Sequence, residues 1–185
     1  MLQPNYVERI ADACARIGNE SCDESGFVPI RNLLSRFDAE LHVRPLLVEG
    51  MLASTDAPDS SSQRRTKWAV LVDSETYKLD SIDLDSENRG QPLSSRLRNT
   101  VAHELVHSLA FRLEEFGISF NGIEKKGRSM GELVKAIERF TEKLSPFLLV
   151  SDKALSKAVS GRTSSLAMED IVRLFRGLGI SRQVL

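Results

Sequence analysis

Two of the chain's three histidines, His103 and His107, stand four residues apart in the stretch RNTVAHELVHSLAF, and Glu104 directly follows the first. Residues four apart on an α-helix lie one above the other on one face, so a single tetrahedral ion can take both imidazoles. Glu104 points about 100° further round the helix. From there it does not join the histidines as a ligand but reaches the remaining coordination position, where a water sits. His-Glu-x-x-His is therefore the pattern of two zinc ligands, His103 and His107, with Glu104 as general base. The plain alternative is two histidines on an ordinary exposed helix face.

A catalytic zinc holds three protein ligands and one water. No histidine follows His107, and His42 lies far upstream in an extended stretch, where a hydrogen-bonded or surface role is expected. The two cysteines, Cys14 and Cys22, form no Cys-x-x-Cys pair, so sulfur ligation is not expected and both read as free thiols. The third ligand should be a carboxylate on a later segment. Ser129 opens a helix there, with Glu132 completing a capping box. This helix offers Glu132, Glu138 and Glu142. Its apolar stripe (Met130, Leu133, Val134, Ile137, Phe140, Leu144) centres near Ile137. Glu138 lies about 100° from that centre, and Glu132 and Glu142 lie near ~140° on either side. Glu138 is thus nearest the buried border and is expected to be desolvated and metal-bound. The other two stay open, since a helical glutamate is ordinarily a solvated charge.

The surrounding elements must hold these side chains together. Val101, Leu105 and Leu109 continue a stripe begun at Leu97, in a helix expected from Ser94 to Phe116. His103 and His107 lie nearly opposite Leu105, so the core takes one side of this helix and the histidines the other. Ala110 and Phe111 lie close to the histidine side, so something apolar should cover that face too. Upstream, residues 5–17 read as a helix ended by Gly18, with Val7, Ile10, Ala11, Cys14 and Ile17 at helical spacing. VPIRNLLSRF reads as a second helix. Residues 40–48 read as extended, confined to an edge by Pro45. WAVLVD (68–73) reads as a strand after a loop over 54–67. In the polar segment 74–92, Asp83, Asp85 and Glu87 are spaced as in a calcium loop. Asn88 stands where glycine belongs and the closing glutamate is missing, so a solvated acidic turn is expected. Ser151 opens a shorter helix.

The expected fold class is α+β, mostly helical with a small sheet beside the histidine helix. Residues 1–160 form the main domain, and 161–185 form a helical, helix-turn-helix-like tail. That tail stops about one turn into its second helix, as in a truncated or docked segment. Its Arg162, Arg173, Arg176 and Arg182 form no dense basic stripe, so DNA binding is not expected of it. A net charge of -1 and a pI near 6.3 give no general attraction to nucleic acid or acidic membranes. No apolar run approaches the ~18 residues that span a bilayer. The start, MLQPNYVERI, has no secretory leader, so a cytoplasmic location is expected.

These motifs resemble the ImmA/IrrE family of bacterial metallopeptidases. The family leads into His-Glu-x-x-His with Arg-x-Thr-x-Ala, here RNTVAHELVH from Arg98 to His107. It continues with a helix Glu-x-x-Ala-Asn-x-Phe-Ala-Ala-x-Leu-Leu-Met-Pro, here ERFTEKLSPFLLVS from Glu138 to Ser151. Leu144 falls on the Phe and Leu148–Leu149 on the Leu pair. Thr141, Glu142 and Ser151 replace Ala, Asn and Pro, which weakens this second match. The resemblance implies a zincin-like fold, Zn2+ as cofactor and Glu138 as the third ligand. It implies a zinc-dependent endopeptidase whose protein substrate is a helix-turn-helix transcriptional repressor; that the chain itself contacts neither nucleic acid nor membrane is expected from its charge and hydropathy. In that mechanism Glu104 takes a proton from water and passes it to the leaving amine. The oxyanion-stabilising residue stays open among Arg98, Tyr77 and Arg128. The rival reading is a non-catalytic regulatory protein that sequesters a repressor without cutting it.

Overall fold

The computed structural model describes residues 4–55, 67–111 and 130–160. Their chain order is α1 (Pro4–Ser21), α2 (Ile30–Phe37), β1 (Ala39–Arg44), β2 (Gly50–Ser54), β3 (Trp68–Asp73), α3 (Ser74–Tyr77), a 3-10 turn (Leu84–Arg89), α4 (Ser95–Phe111), α5 (Met130–Leu149) and α6 (Asp152–Val159). The class is α+β, with six helices and one three-stranded sheet among the described residues. None of these helices is long and apolar enough to cross a membrane. The tail 161–185 lies outside the described residues.

The sheet has the order β1-β3-β2. β3 takes the centre because WAVLVD is apolar along nearly its whole length, as a strand paired on both sides requires. β1 runs parallel to it, Leu41 opposite Val70, and β2 runs antiparallel, Leu52 opposite Val70. Pro45 falls just past the end of β1, which is the edge position expected of it. The extended stretch over 40–48 is shorter than its sequence suggested, because the chain turns at Pro45 and returns as β2. That strand carries no period of its own strong enough to read. It exists because β3 offers it a ladder.

Asp73 fixes this return. One carboxylate oxygen accepts from the backbone N–H of Leu46 at 2.9 Å; the other caps α3, accepting from the Thr76 N–H at 2.8 Å and hydroxyl at 2.7 Å. These donors hold Asp73 well below the usual carboxylate range, at about 2.

α4 is the central helix. Leu97, Val101, Leu105 and Leu109 are all buried, as their stripe implies, and so are Ala102, Val106 and Ser108. It is therefore covered on most sides, by α2, α5, β2 and β3. Ser94 starts it, its hydroxyl accepting from the N–H of Leu97 at 3.3 Å. The expected extension to residue 116 lies outside the described residues, as do the Ser129 cap and the side chain of Glu132. In α5, Pro146 has no N–H to give the carbonyl of Glu142, and the Ser145 hydroxyl donates to that carbonyl at 3.3 Å. Ser151 caps α6 as expected, its hydroxyl accepting from Ala154 N–H at 3.1 Å.

Two local expectations are corrected. Gly18 does not end α1; the helix continues to Ser21. A β-carbon there would sit 2.7 Å from the carbonyl oxygen of Phe147, so this glycine lets α1 pack closely on α5. The acidic segment is not simply solvated. Asp83 pairs with Arg89 and Asp85 with Arg31, while Glu87 turns inward to meet Arg98. Both side chains of that last pair are fully buried. The other Glu87 oxygen accepts from the first N–H of α2, at Ile30, at 2.6 Å. Arg98 also donates to the Val28 carbonyl at 2.9 Å and stacks on Phe27. A run that reads as surface charge thus ties α2 to α4.

Both cysteines are free. Cys14 is fully buried, and burial pushes its thiol up to about 12. Cys22 is half-buried and donates to the Asn19 carbonyl at 3.2 Å.

Candidate metal centre

His103 and His107 project from α4 toward α5, as a four-residue spacing on one helix dictates. Their Nε2 atoms lie 3.1 Å apart. Glu138 reaches them from α5: one oxygen is 3.1 Å from His103 Nε2, the other 3.5 Å from His107 Nε2. A tetrahedral ion with bonds of 2.0–2.1 Å separates its ligand atoms by about 3.3 Å. The observed spacings bracket that value. The three donors are two imidazoles and a carboxylate, a set that suits a divalent transition-metal ion. The residues present fit a metal ion, and the described structure brings together His103, His107 and Glu138 as a group that can hold one.

Burial, then the neighbouring His103, hold His107 below its ordinary range, which favours the neutral imidazole that a metal needs. Glu138 is 48% exposed at its side chain. The helix wheel placed it on the correct face but at the wrong depth, for it stands at the mouth of the site and is not desolvated. His42 sits apart on β1, 3.3 Å from Glu40, consistent with its expected surface role.

Glu104 stands beside the three donors and not among them. It is buried and accepts from the backbone N–H of Leu52 on β2. Burial first, and the Glu138 charge second, push its carboxyl up to about 7, against the pull of that hydrogen bond. A carboxyl in this range can both take and return a proton near neutral pH.

The group opens into a cleft of about 970 Å³ between three walls. α4 contributes Arg96, Asn99, Thr100, His103, Glu104 and His107; α5 contributes Glu138, Glu142 and Ser145. The third wall comes from Val48 to Leu52, with Trp68 behind. The apolar cover expected over the histidine face is present on one side only: Val48, Met51 and Leu52 supply it, whereas α5 brings the polar Glu138, Glu142 and Ser145, with the cleft left between. At the rim, Arg96 makes a two-pronged bond to Glu49, both contacts 2.9 Å. Tyr77 donates its hydroxyl to the same carboxylate at 2.5 Å, and Thr100 donates at 3.0 Å. Arg96 first, with Tyr77 and Thr100, holds Glu49 at about 2.

Sequence reading missed the β2 wall and this rim network, because both depend on pairing between segments far apart in the chain. Of the residues left open for oxyanion stabilisation, Arg98 is buried against Glu87 and does not line the cleft. The Tyr77 hydroxyl is committed to Glu49 and Thr100, and Arg128 lies outside the described residues. Compared with family models, with curated proteins and with solved structures, the chain matches none of them.

Proposed function

We propose that this chain is a zinc-dependent endopeptidase with a zincin-like fold of the ImmA/IrrE kind. The observation that carries the reading is the convergence of His103, His107 and Glu138 with Glu104 held beside them. His103, His107 and Glu138 would hold the zinc. Zinc there would supply Lewis-acid polarisation of the scissile carbonyl and make a water more acidic.

Glu104 accepts the proton of the attacking water and delivers it to the leaving nitrogen. The backbone N–H of Leu52 helps orient the carboxylate, and burial limits its contact with bulk water. β2 supplies a place for the substrate backbone. Glu49 and Thr55 bond toward β3, so the alternation of an antiparallel ladder turns Gly50, Leu52 and Ser54 outward. Leu52 N–H goes to Glu104; the remaining outward groups can pair with an extended polypeptide. A repressor of the helix-turn-helix type as substrate rests on the family resemblance alone, and the cytoplasm as the place of action is an expectation from the sequence.

The test is zinc content after loading, followed by cleavage. One zinc per chain, held much more weakly by Glu138→Ala, is expected. Glu104→Gln should keep the zinc and lose peptide cleavage. Cleavage that survives Glu104→Gln would remove the assigned base. A Glu104→Gln protein that still relieves a repressor in cells would favour sequestration without cutting.

A further inference from the structure

The cleft has two chemically different walls. On the β2 side, Val48 and Met51 line it and are 56% and 41% exposed, although both are apolar. On the α5 side stands Glu142, also exposed. Arg96 is the cation among the described lining residues, and Glu49 already neutralises it with two hydrogen bonds. Glu138 faces the histidines, and Glu104 is bound by Leu52. Glu142 is the carboxylate of the cleft with no hydrogen bond or ion pair of its side chain among the described residues.

Four residues of helix separate Glu142 from Glu138, or about 6 Å along the axis. An extended peptide advances about 3.3 Å per residue. For a peptide running along α5, Glu142 therefore stands about two residues from the donor triad, within reach of a long basic side chain. Resting on the endopeptidase reading, we infer that the cleft selects polypeptide segments carrying lysine or arginine within two residues of the bond cut, with Glu142 as the selecting charge. The occupant is a basic polypeptide segment whose apolar neighbour lies against Val48 and Met51.

The experiment uses zinc-loaded protein and a pool of nine-residue peptides randomised at every position, with cut sites read by mass spectrometry. A cut peptide is then remade with its basic residue changed from Lys to Glu. Lysine and arginine should be enriched within two positions of the cut. The Lys form should be cut about tenfold faster than the Glu form, a preference that shrinks in high salt. Glu142→Lys should reverse the preference, and Glu142→Gln should abolish it. Cleavage with equal rates for the pair, unchanged in Glu142→Lys, overturns the inference and leaves the endopeptidase reading standing. If wild type cuts nothing, that reading fails, and fluorescence anisotropy of the peptides on Glu104→Gln protein decides the inference separately. Charge-selective binding that reverses on adding Glu142→Lys supports Glu142 as the selecting charge; equal or no binding overturns the inference.

Discussion

Gly50 is seated directly against Glu104. A β-carbon at position 50 would fall 3.1 Å from Glu104 Oε1 and 2.5 Å from the Thr100 methyl. β2 approaches α4 this closely only because the residue has no side chain, and that approach lets the next outward N–H, at Leu52, reach the Glu104 carboxylate.

Gly50→Val should therefore displace β2 or Glu104 without touching a metal ligand. Zinc affinity should stay near that of the wild type. Peptide turnover should fall by about 100-fold, the usual cost of a misplacement near 1 Å. Stability should drop by about 1–3 kcal/mol. Turnover equal to wild type in a folded, zinc-bound variant would show that the Gly50 contact does not position the base.

Arg98, five residues before His103, forms a buried ion pair with Glu87. Removing one partner leaves the other charge buried and unpaired, so Arg98→Met should cost about 3–5 kcal/mol in urea unfolding. Combining it with Glu87→Leu should recover part of that loss, although the α2 N-terminus then loses its acceptor at Ile30. A single variant as stable as wild type would contradict the buried pairing.

Acid should destabilise the fold in a defined window. Asp73 and Glu49 sit at about 2 in the folded chain, against about 3.9 and 4.3 when unfolded. Groups depressed in this way contribute stability that is fully present above the unfolded values. It is lost as pH falls toward 2, because the unfolded chain binds protons first. Urea midpoints should decline between about pH 4.5 and 2, and Asp73→Asn should flatten part of that decline. An unchanged slope in that variant would remove Asp73 from the account.

The two thiols should differ sharply. Burial holds Cys14 protonated to about 12, whereas Cys22 is half-buried beside the Asn19 carbonyl. A thiol-disulfide reagent at pH 8 should titrate one cysteine in the native protein and two in denaturant. Rapid native reaction of both would mean that α1 is not packed as described.

The elements legible in the sequence were those set by neighbours. The 3.6-residue period marked the buried faces of α1, α2 and α4, and an unbroken apolar run marked β3. The Ser151 cap is a contact over three residues, and the histidine pair is fixed by one turn of helix. On α5, the wheel identified the face carrying Glu138.

Other features needed partners that no local pattern names. Ile30 meets Glu87 across 57 residues, and Arg98 meets Val28 across 70. Gly18 reads as a stop until α5 arrives beside it, and β2 reads as nothing until β3 pairs with it. The depth of Glu138 depends on how far α5 stands from α4, which the period of α5 does not encode. The sequence alone determined which side chains share a helix face and so which chemistry was available. The tertiary structure decided their spacing, their exposure and the cleft they open into, because these depend on packing between segments whose separation in the chain carries no information about their distance in space.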